Sequence, residues 1–342
     1  MRIGILTGGG DSPATNAAIR AVVKKGAADG HQVLGIRNGW AGAINGEIAE
    51  LRREEVSGIL PKGGTILGTS RTNPFKMDAV GDIQKNMAKH ELDCLIAIGG
   101  DDTLGVLHRL NNLAENPVLG VGIPQTIDKD IPGTDYAIGF DSAVAIATDA
   151  CDKLDTTAES HHRVMILEVM GRDAGHIAVE AGLAGGADII LIPERPFEID
   201  WVCDRVKTRQ ARGKTFSIIV VAEGAKPVGH DQIVRTEKTD QFGHVLLGGI
   251  GEYLAAEVEK CTDIETRVTI LGHLQRGGIP TAYDRMLATR FGVAAIELVN
   301  QKKWDHMVAL KGNRVTDVPL AEGLAGVKPV DEALYESSMI FF

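Results

Sequence analysis

Two short acidic segments carry the residue types that could do chemistry. Residues 99–103 have the sequence Gly-Gly-Asp-Asp-Thr, and residues 126–130 have the sequence Thr-Ile-Asp-Lys-Asp. Each follows an apolar run, residues 94–98 and 118–123, which predicts a buried parallel strand. Loops at the carboxyl ends of neighbouring parallel strands converge in one crevice, so the two acidic segments are expected to share a site. The glycine turn would let a phosphate approach backbone N–H groups. The combination predicts phosphoryl transfer with a metal ion.

A third glycine segment follows a predicted strand at the start of the chain. Residues 2–6 lead into Thr-Gly-Gly-Gly-Asp, and a helix is expected from Pro13 onward. This is not a dinucleotide-binding fingerprint, because Pro13 occupies the place of the third glycine of G-x-G-x-x-G. Nor is Gly213-Lys214-Thr215 a P-loop, since Thr208 replaces the leading glycine. A nicotinamide oxidoreductase, the other candidate for such a chain, is therefore disfavoured.

Composition narrows the possible partners and the compartment. The net charge of −10 over 342 residues argues against nucleic acid or a membrane surface as the main partner, because both require a basic surface. The four cysteines are far apart in sequence and show no zinc-ligand spacing, so we expect free, buried or indifferent thiols in a reducing compartment. The first strand leaves no room for a signal peptide, and we expect a cytoplasmic protein.

The alternation of apolar runs and helical patterns predicts an α/β fold. Helices are expected at 14–29, 78–90, 102–114, 141–156, 174–184, 199–211, 247–260 and 281–301. Such alternation predicts doubly wound, mostly parallel sheets, and the length suggests two domains, with changes of domain near Gly139 and Gly249. Residues 226–244 are polar and poor in pattern, which predicts a β-hairpin or an excursion loop.

Basic side chains recur at the ends of predicted strands and in loops rather than on helix faces. They are Arg71, Arg163, Arg172, Arg267, His273 and Arg276. A guanidinium group can donate two hydrogen bonds to the oxygens of a phosphate, so this placement suits a substrate with a phosphate group.

With these motifs together, the chain resembles the phosphofructokinase family over nearly its whole length. The motifs that carry the resemblance are LTGGGDSP at 6–13, GGTILGTSR at 63–71, GGDDT at 99–103, TIDKD at 126–130, SHHR at 160–163, MGR at 170–172, EG at 223–224 and GHLQRGG at 272–278. No single motif is specific, but their order and spacing agree as a set.

The resemblance implies two Rossmann-like, doubly wound domains with the active site in the cleft between them. Residues 1–139 plus about 250–303 would bind the phosphoryl donor and Mg²⁺, and residues 140–249 plus about 304–342 would bind fructose 6-phosphate. The implied reaction moves a phosphoryl group onto the C1 hydroxyl of this sugar.

The resemblance also implies roles for individual residues. Asp128 would be the general base, Asp101 would hold Mg²⁺ with Asp130 nearby, and Thr126 and Arg172 would contact the phosphoryl group in transfer. The donor pocket would be lined by Gly10, Arg71, Thr72, Gly100, Asp101, Asp102 and Thr103. The sugar phosphate would be bound by Thr126, Ile127, Asp128, Arg163, Met170, Gly171, Arg172, Glu223, Arg267, His273, Leu274, Gln275 and Arg276. In the family, Arg163 and Arg267 come from a neighbouring subunit, which implies a homodimer or homotetramer with shared active sites.

Two residues give opposite indications of the donor. Asp102 stands where ATP-using members usually have glycine, and a carboxylate there would repel the α-phosphate of ATP, which favours pyrophosphate. Gln125 stands where pyrophosphate users typically have lysine, so the usual positive charge is missing. We favour pyrophosphate, with ATP as the alternative.

Two further features bear on catalysis. Lys129 replaces a usual asparagine between Asp128 and Asp130, and pairing with either carboxylate would lower its pKa and weaken the base. A non-catalytic sugar-phosphate sensor on the same scaffold is a distant alternative, and the presence of Asp128 and Asp101 argues against it.

Overall fold

The computed structural model describes residues 1–230, 234–239 and 245–340. The strands are β1 (Arg2–Thr7), β2 (Gln32–Ile36), β3 (Ile48–Glu50), β4 (Cys94–Gly99), β5 (Gly120–Thr126), β6 (Ile138–Gly139), β7 (Val164–Val169), β8 (Ile189–Leu191), β9 (Ser217–Ala222), β10 (Val234–Thr239), β11 (Val245–Leu247), β12 (Thr266–Ile270), β13 (His306–Lys311) and β14 (Arg314–Pro319). The helices are α1 (Thr15–Ala28), α2 (Gly39–Asn45), α3 (Val80–Lys89), α4 (Asp101–Asn111), α5 (Phe140–His161), α6 (His176–Ala184), α7 (Ile199–Ala211), α8 (Ile250–Thr262), α9 (Ala282–Asn300), α10 (Leu320–Gly323) and α11 (Glu332–Met339).

Two mostly parallel sheets form the framework, as predicted. The larger sheet has the order β14-β13-β5-β4-β1-β2-β3 with β6 attached to β5, and the smaller has the order β12-β7-β9-β8. Strands β4, β7 and β9 are buried along their whole length, which agrees with helices on both faces. Helices α1 and α9 cover one face of the large sheet and α4 the other, while α5 and α6 lie opposite α7 and α8 on the small sheet. This is the doubly wound α/β class.

All eight predicted helices are present, with bounds close to the expected ones. Sequence patterns missed α2, α10 and α11, which are short. For the hairpin or excursion loop expected at 226–244, the structure shows β10 inside this stretch, paired antiparallel with β11, which lies just beyond it. Residues 231–233 and 240–244 lie outside the described residues.

Sheet membership differs from the expected division of the chain after residue 249. Strand β12 belongs to the small sheet, where Thr266 is paired with Val164 of β7, and helix α8 packs on that sheet. Strands β13 and β14 instead extend the large sheet, where Met307 is paired with Gly122 of β5. Helix α9 packs against α1, which covers the large sheet. The chain therefore returns from the small sheet to the large one between β12 and α9.

The expectation of four free thiols is wrong for one pair. Cys203 of α7 and Cys261 of α8 form a disulfide, with their Cα atoms 6.2 Å apart. These residues are 58 positions apart in sequence, but α7 and α8 pack side by side on one face of the small sheet. Cys94 and Cys151 are buried free thiols, as predicted. In the described part of the chain, no helix is both long and apolar enough to cross a membrane.

Candidate active site

Three loops meet at the carboxyl edge of the large sheet because β1, β4 and β5 are neighbours there. The N–H of Gly8 donates to the carbonyl of Ile98 at 3.0 Å, which holds the first glycine loop against β4. Thr103 packs between these loops: a Cβ on Gly8 would lie 2.6 Å from its Oγ1, and one on Gly99 would lie 2.6 Å from its Cβ. Only glycine fits at both positions, so the two loops can close on each other.

The loops enclose a cavity that also contacts the small-sheet domain. It is lined by Gly9, Gly10, Arg71, Gly100, Asp101, Asp102, Gln125, Thr126, Asp128, Asp130, Arg172 and Arg276. All of these except Gly9 are residues that the sequence singled out. The predicted base Asp128, the predicted metal ligand Asp101 and five of the seven predicted donor residues therefore line one cavity.

Burial, with repulsion from neighbouring carboxylates, raises the pKa of two carboxyl groups in this cavity, Asp128 and Asp130. Asp128 is only 5% exposed, and its Oδ1 has no hydrogen-bond partner among the described residues. Burial raises the pKa of Asp128, while the nearby Arg276 and Arg172 oppose that rise. Burial, then repulsion by Asp128 and Asp101, raises the pKa of Asp130 to about 7. The cluster thus holds more negative charge than the protein alone stabilises.

The small sheet contributes Arg172 and Glu223 at the carboxyl ends of β7 and β9. Arg172 has a left-handed backbone, with φ at 52°, and its N–H donates to Glu223 Oε1 at 3.3 Å. Gly171 before it has φ at 140°, and a Cβ there would lie 2.5 Å from the carbonyl of Ala174. Burial, together with repulsion by Asp128, raises the pKa of Glu223 to about 7. The predicted sugar-binding turn, with half-buried Met170 at its start, is therefore close enough to the base to interact with it electrostatically.

The two residues that bear on donor choice both line the cavity. Gln125 is buried, and its Nε2 donates to the carbonyl of Gly10 at 3.1 Å, so it fixes the first glycine loop. Asp102 lies between this cavity and a second one, which is lined by Asn73, Asp101, Asp102, Gly105, Val106, Arg109, Leu324, Gly326 and Val327. Asp101 and Asp102 line both cavities, so a donor that extended from the first into the second would lie near these two residues.

Some predicted residues lie outside the cavity lining. Thr103 packs between the glycine loops, and Thr72 lies next to Arg71 without lining the cavity. Ile127 is 1% exposed and packs in the core of the small-sheet domain. On the 3₁₀ helix Gly272–Arg276, His273 and Leu274 are exposed and Gln275 is buried.

Arg163 and Arg267 are also outside the cavity. Arg163 precedes β7 while Arg172 follows it, and a strand of this length spans roughly 20 Å. Both side chains bind Glu265: Arg163 Nε lies 2.6 Å from its Oε2, and Arg267 contacts its Oε1. These arginines therefore do not reach the cavity of their own chain.

Lys129 does not pair with Asp128 or Asp130, contrary to the interpretation of the sequence. Its Nζ lies 2.6 Å from Oε1 of Glu180 on α6. Glu180 was not a candidate from the sequence, because it lies outside the motifs that indicated the other site residues; it is the one carboxylate of α6, an apolar and mostly buried helix.

The fold and the cavity together are typical of two-domain α/β phosphotransferases. The chain belongs to the phosphofructokinase family, since the family model described as Phosphofructokinase matches residues 2–299.

Relatives in this family are named after one of two phosphoryl donors. A "Pyrophosphate--fructose 6-phosphate 1-phosphotransferase" of Streptomyces coelicolor is 52% identical over 344 residues, and an "ATP-dependent 6-phosphofructokinase" of Mycobacterium tuberculosis is 47% identical over 345 residues. Both alignments cover all of this chain and all of the relative.

Solved structures show the same fold. A phosphofructokinase from Saccharomyces cerevisiae is 32% identical with a TM-score of 0.81, over 95% of this chain and 45% of that one. A pyrophosphate-dependent phosphofructokinase from Marinobacter aquaeolei is 24% identical with a TM-score of 0.83, over 97% of this chain and 86% of that one.

Proposed function

We propose that the protein is a 6-phosphofructokinase that transfers a phosphoryl group to the C1 hydroxyl of fructose 6-phosphate, with pyrophosphate as the favoured donor. The observation that carries the proposal is the buried Asp128 carboxylate, which lines the same cavity as the glycine loops and whose Oδ1 has no hydrogen-bond partner in the described residues. The names of the relatives support the same reaction class.

In this reaction Asp128 acts as the general base. It takes the proton of the C1 hydroxyl while that oxygen bonds to the terminal phosphorus of the donor, and the leaving phosphate keeps the electrons of the broken P–O bond. Burial raises the pKa of Asp128, which makes it a better proton acceptor, and Arg276 and Arg172 keep it ionised. Arg172 and Thr126, which both line the cavity, would donate hydrogen bonds to the phosphoryl group in transfer.

The residues present fit a magnesium ion. Asp101 and Asp130 line the same cavity. Burial, then repulsion by Asp128 and Asp101, raises the pKa of Asp130, and a divalent cation would offset that repulsion. No group of three or more ligating side chains occurs among the residues described, so Mg²⁺ would complete its coordination with phosphate oxygens and water. When bound, Mg²⁺ would shield the charge of the donor phosphates.

Asp102 favours pyrophosphate over ATP as the donor. Pyrophosphate needs only the first cavity, whereas the α-phosphate of a nucleotide would meet the Asp102 carboxylate between the two cavities. ATP is the second candidate because the second cavity offers space for a nucleoside beside Arg109, whose guanidinium stacks on Phe75 at 3.5 Å.

The acceptor site requires a second copy of the chain. Glu223 and residues 170–172 would hold the sugar next to the base, but Arg163 and Arg267 lie outside the cavity of their own chain. A homodimer or homotetramer would let these arginines bind the 6-phosphate in the partner's site. Two large apolar side chains close to Arg267 in sequence, Leu274 and Ile279, are 68% and 74% exposed and suit such an interface.

We place this glycolytic activity in the cytoplasm.

An aldolase-coupled assay with fructose 6-phosphate, Mg²⁺ and either donor tests the reaction. Formation of fructose 1,6-bisphosphate that requires both the sugar phosphate and a donor would support the proposal. A protein that binds fructose 6-phosphate without making this product would be a sensor instead.

A further inference from the structure

Lys129 lies between the proposed base and Asp130, and its side chain is turned away from both. Its Nζ lies 2.6 Å from Glu180 Oε1, and the two side chains are 12% and 22% exposed. Lys129 also has a left-handed backbone, with φ at 59°. A residue other than glycine is held in the left-handed conformation by the contacts around it.

Two aromatic rings complete the surroundings of the ammonium group. Lys129 Nζ lies 4.3 Å from the centroid of the Tyr136 ring and 4.8 Å from that of Phe140. Tyr136 donates a long hydrogen bond of 3.5 Å to Glu180 Oε2, so the same ring contacts both members of the ion pair. A partly buried cation with a carboxylate and two ring faces is held much more firmly than an exposed pair.

The ion pair joins the two domains next to the base. Lys129 follows β5 of the large sheet, whereas Glu180 lies on α6, which packs on the small sheet. The N–H of the base donates to Thr126 Oγ1 at 3.1 Å. Packing of Ile127 in the small-sheet core and a hydrogen bond from the N–H of Lys328 to the carbonyl of Asp130, at 2.7 Å, also hold residues 126–130. The Lys129–Glu180 pair is the side-chain ion pair of this segment, and it joins the residue next to the base to α6.

We propose that Lys129 and Glu180 are positioning residues, which hold the loop of Asp128 against α6 so that the base faces the cleft when both domains enclose the substrate. Neither residue lines the cavity, so both act through Asp128. This role rests on the proposed function, because it concerns the base of that reaction.

A charge effect of Lys129 on the base is the competing explanation, and the structure distinguishes the two. The charges that shift the pKa of Asp128 most belong to Arg276, Arg172, Asp101 and Asp173, and Lys129 is not among them. Under a charge effect, Glu180→Gln would leave turnover unchanged or improved, because the lysine would keep its charge. Under the positioning role, Glu180→Gln would release the loop as much as removal of the lysine does.

The test compares Lys129→Asn, Glu180→Gln, the double variant and Lys129→Arg. Asparagine tolerates a left-handed backbone, so Lys129→Asn removes the ion pair without adding strain. The expected result is a fall in kcat of about tenfold to a hundredfold in each single variant, with an unchanged KM for fructose 6-phosphate. The double variant should lose no more than either single one, since both remove the same contact. Lys129→Arg, which keeps charge and reach, should recover most of the activity.

Lys153→Met is the matched control, because it breaks another lysine–carboxylate pair, with Asp149, whose side chains are 73% and 63% exposed. Its kcat should equal that of the wild type. Additive losses, an unaffected Glu180→Gln variant, or losses that track a fall in Tm would each overturn the positioning role. A wild type inactive with both donors would instead refute the proposed function, and this role with it.

Discussion

Replacement of Asp128 by asparagine separates the chemical role of this residue from its structural one. The amide has the same size as the carboxylate but cannot accept the proton of the C1 hydroxyl. Loss of a positioned general base costs about 10²- to 10⁴-fold in kcat, which corresponds to about 3 to 5 kcal/mol of activation free energy. The KM for fructose 6-phosphate should change little, because the sugar is held mainly by other groups.

Whereas the kcat of Asp128→Asn should fall, its thermal stability should stay the same or rise. The folded-state pKa of Asp128 is raised above its unfolded value, so the folded protein binds the extra proton and loses stability as the pH rises through that pKa. Asparagine removes this loss, so the variant should unfold at the same or a higher temperature than the wild type at pH 8. The oppositely charged Arg276 and Arg172 limit the gain, since they then lose a partner.

The assay is the aldolase-coupled rate, with thermal unfolding measured on the same preparations. Low turnover together with an unchanged or higher Tm would identify Asp128 as the base. A kcat within tenfold of the wild type would refute this reasoning, and Asp130 in the same cavity would become the next candidate.

Three further predictions concern donor, charge and assembly. Asp102→Gly should raise the ratio of kcat/KM for ATP to that for pyrophosphate by at least about tenfold, because a repulsive charge is removed; an unchanged ratio would contradict the role of Asp102. Burial and the neighbouring carboxylates raise the pKa of Asp130 from its ordinary 3.8 to about 7 in the folded protein, so its contribution to stability is full below pH 3.8 and is lost as the pH rises through 7. The free energy of unfolding, measured in urea, should therefore fall less steeply between pH 3.8 and pH 7 in Asp130→Asn than in the wild type. The slopes of the two proteins should differ by at most about 1.4 kcal/mol per pH unit. Arg163→Ala should raise the KM for fructose 6-phosphate about tenfold or more, and mixed assembly with the inactive Asp128→Asn chain should restore activity; no recovery on mixing would place Arg163 outside a shared site.

Much of the fold follows from local sequence patterns. The strands that end at the site are continuous apolar runs, and the helices after them have clear periodicity, so both could be located from the sequence. The short helix α2 could not, because its ends depend on left-handed residues, Asn38 at φ 57° and Gly46 at φ 73°. Such conformations are stabilised by contacts that no local pattern encodes.

The candidate site was predicted as a set of residues but not as a set of contacts. The glycine loops and carboxylates converge because adjacent strands end together, which the sequence order of the strands suggests. The partner of Lys129 could not be predicted, because Glu180 is 51 residues away and meets it only through packing of the two domains. The same holds for the Cys203–Cys261 disulfide, which depends on α7 lying beside α8.

The most direct test of the central claim is the initial rate of fructose 1,6-bisphosphate formation, measured with one preparation and with pyrophosphate or ATP as the sole donor. The account predicts a higher kcat/KM with pyrophosphate, since Asp102 lines both cavities and its carboxylate would repel the α-phosphate of ATP. A higher value with ATP would contradict the assigned donor, and no product with either would contradict the proposed reaction itself.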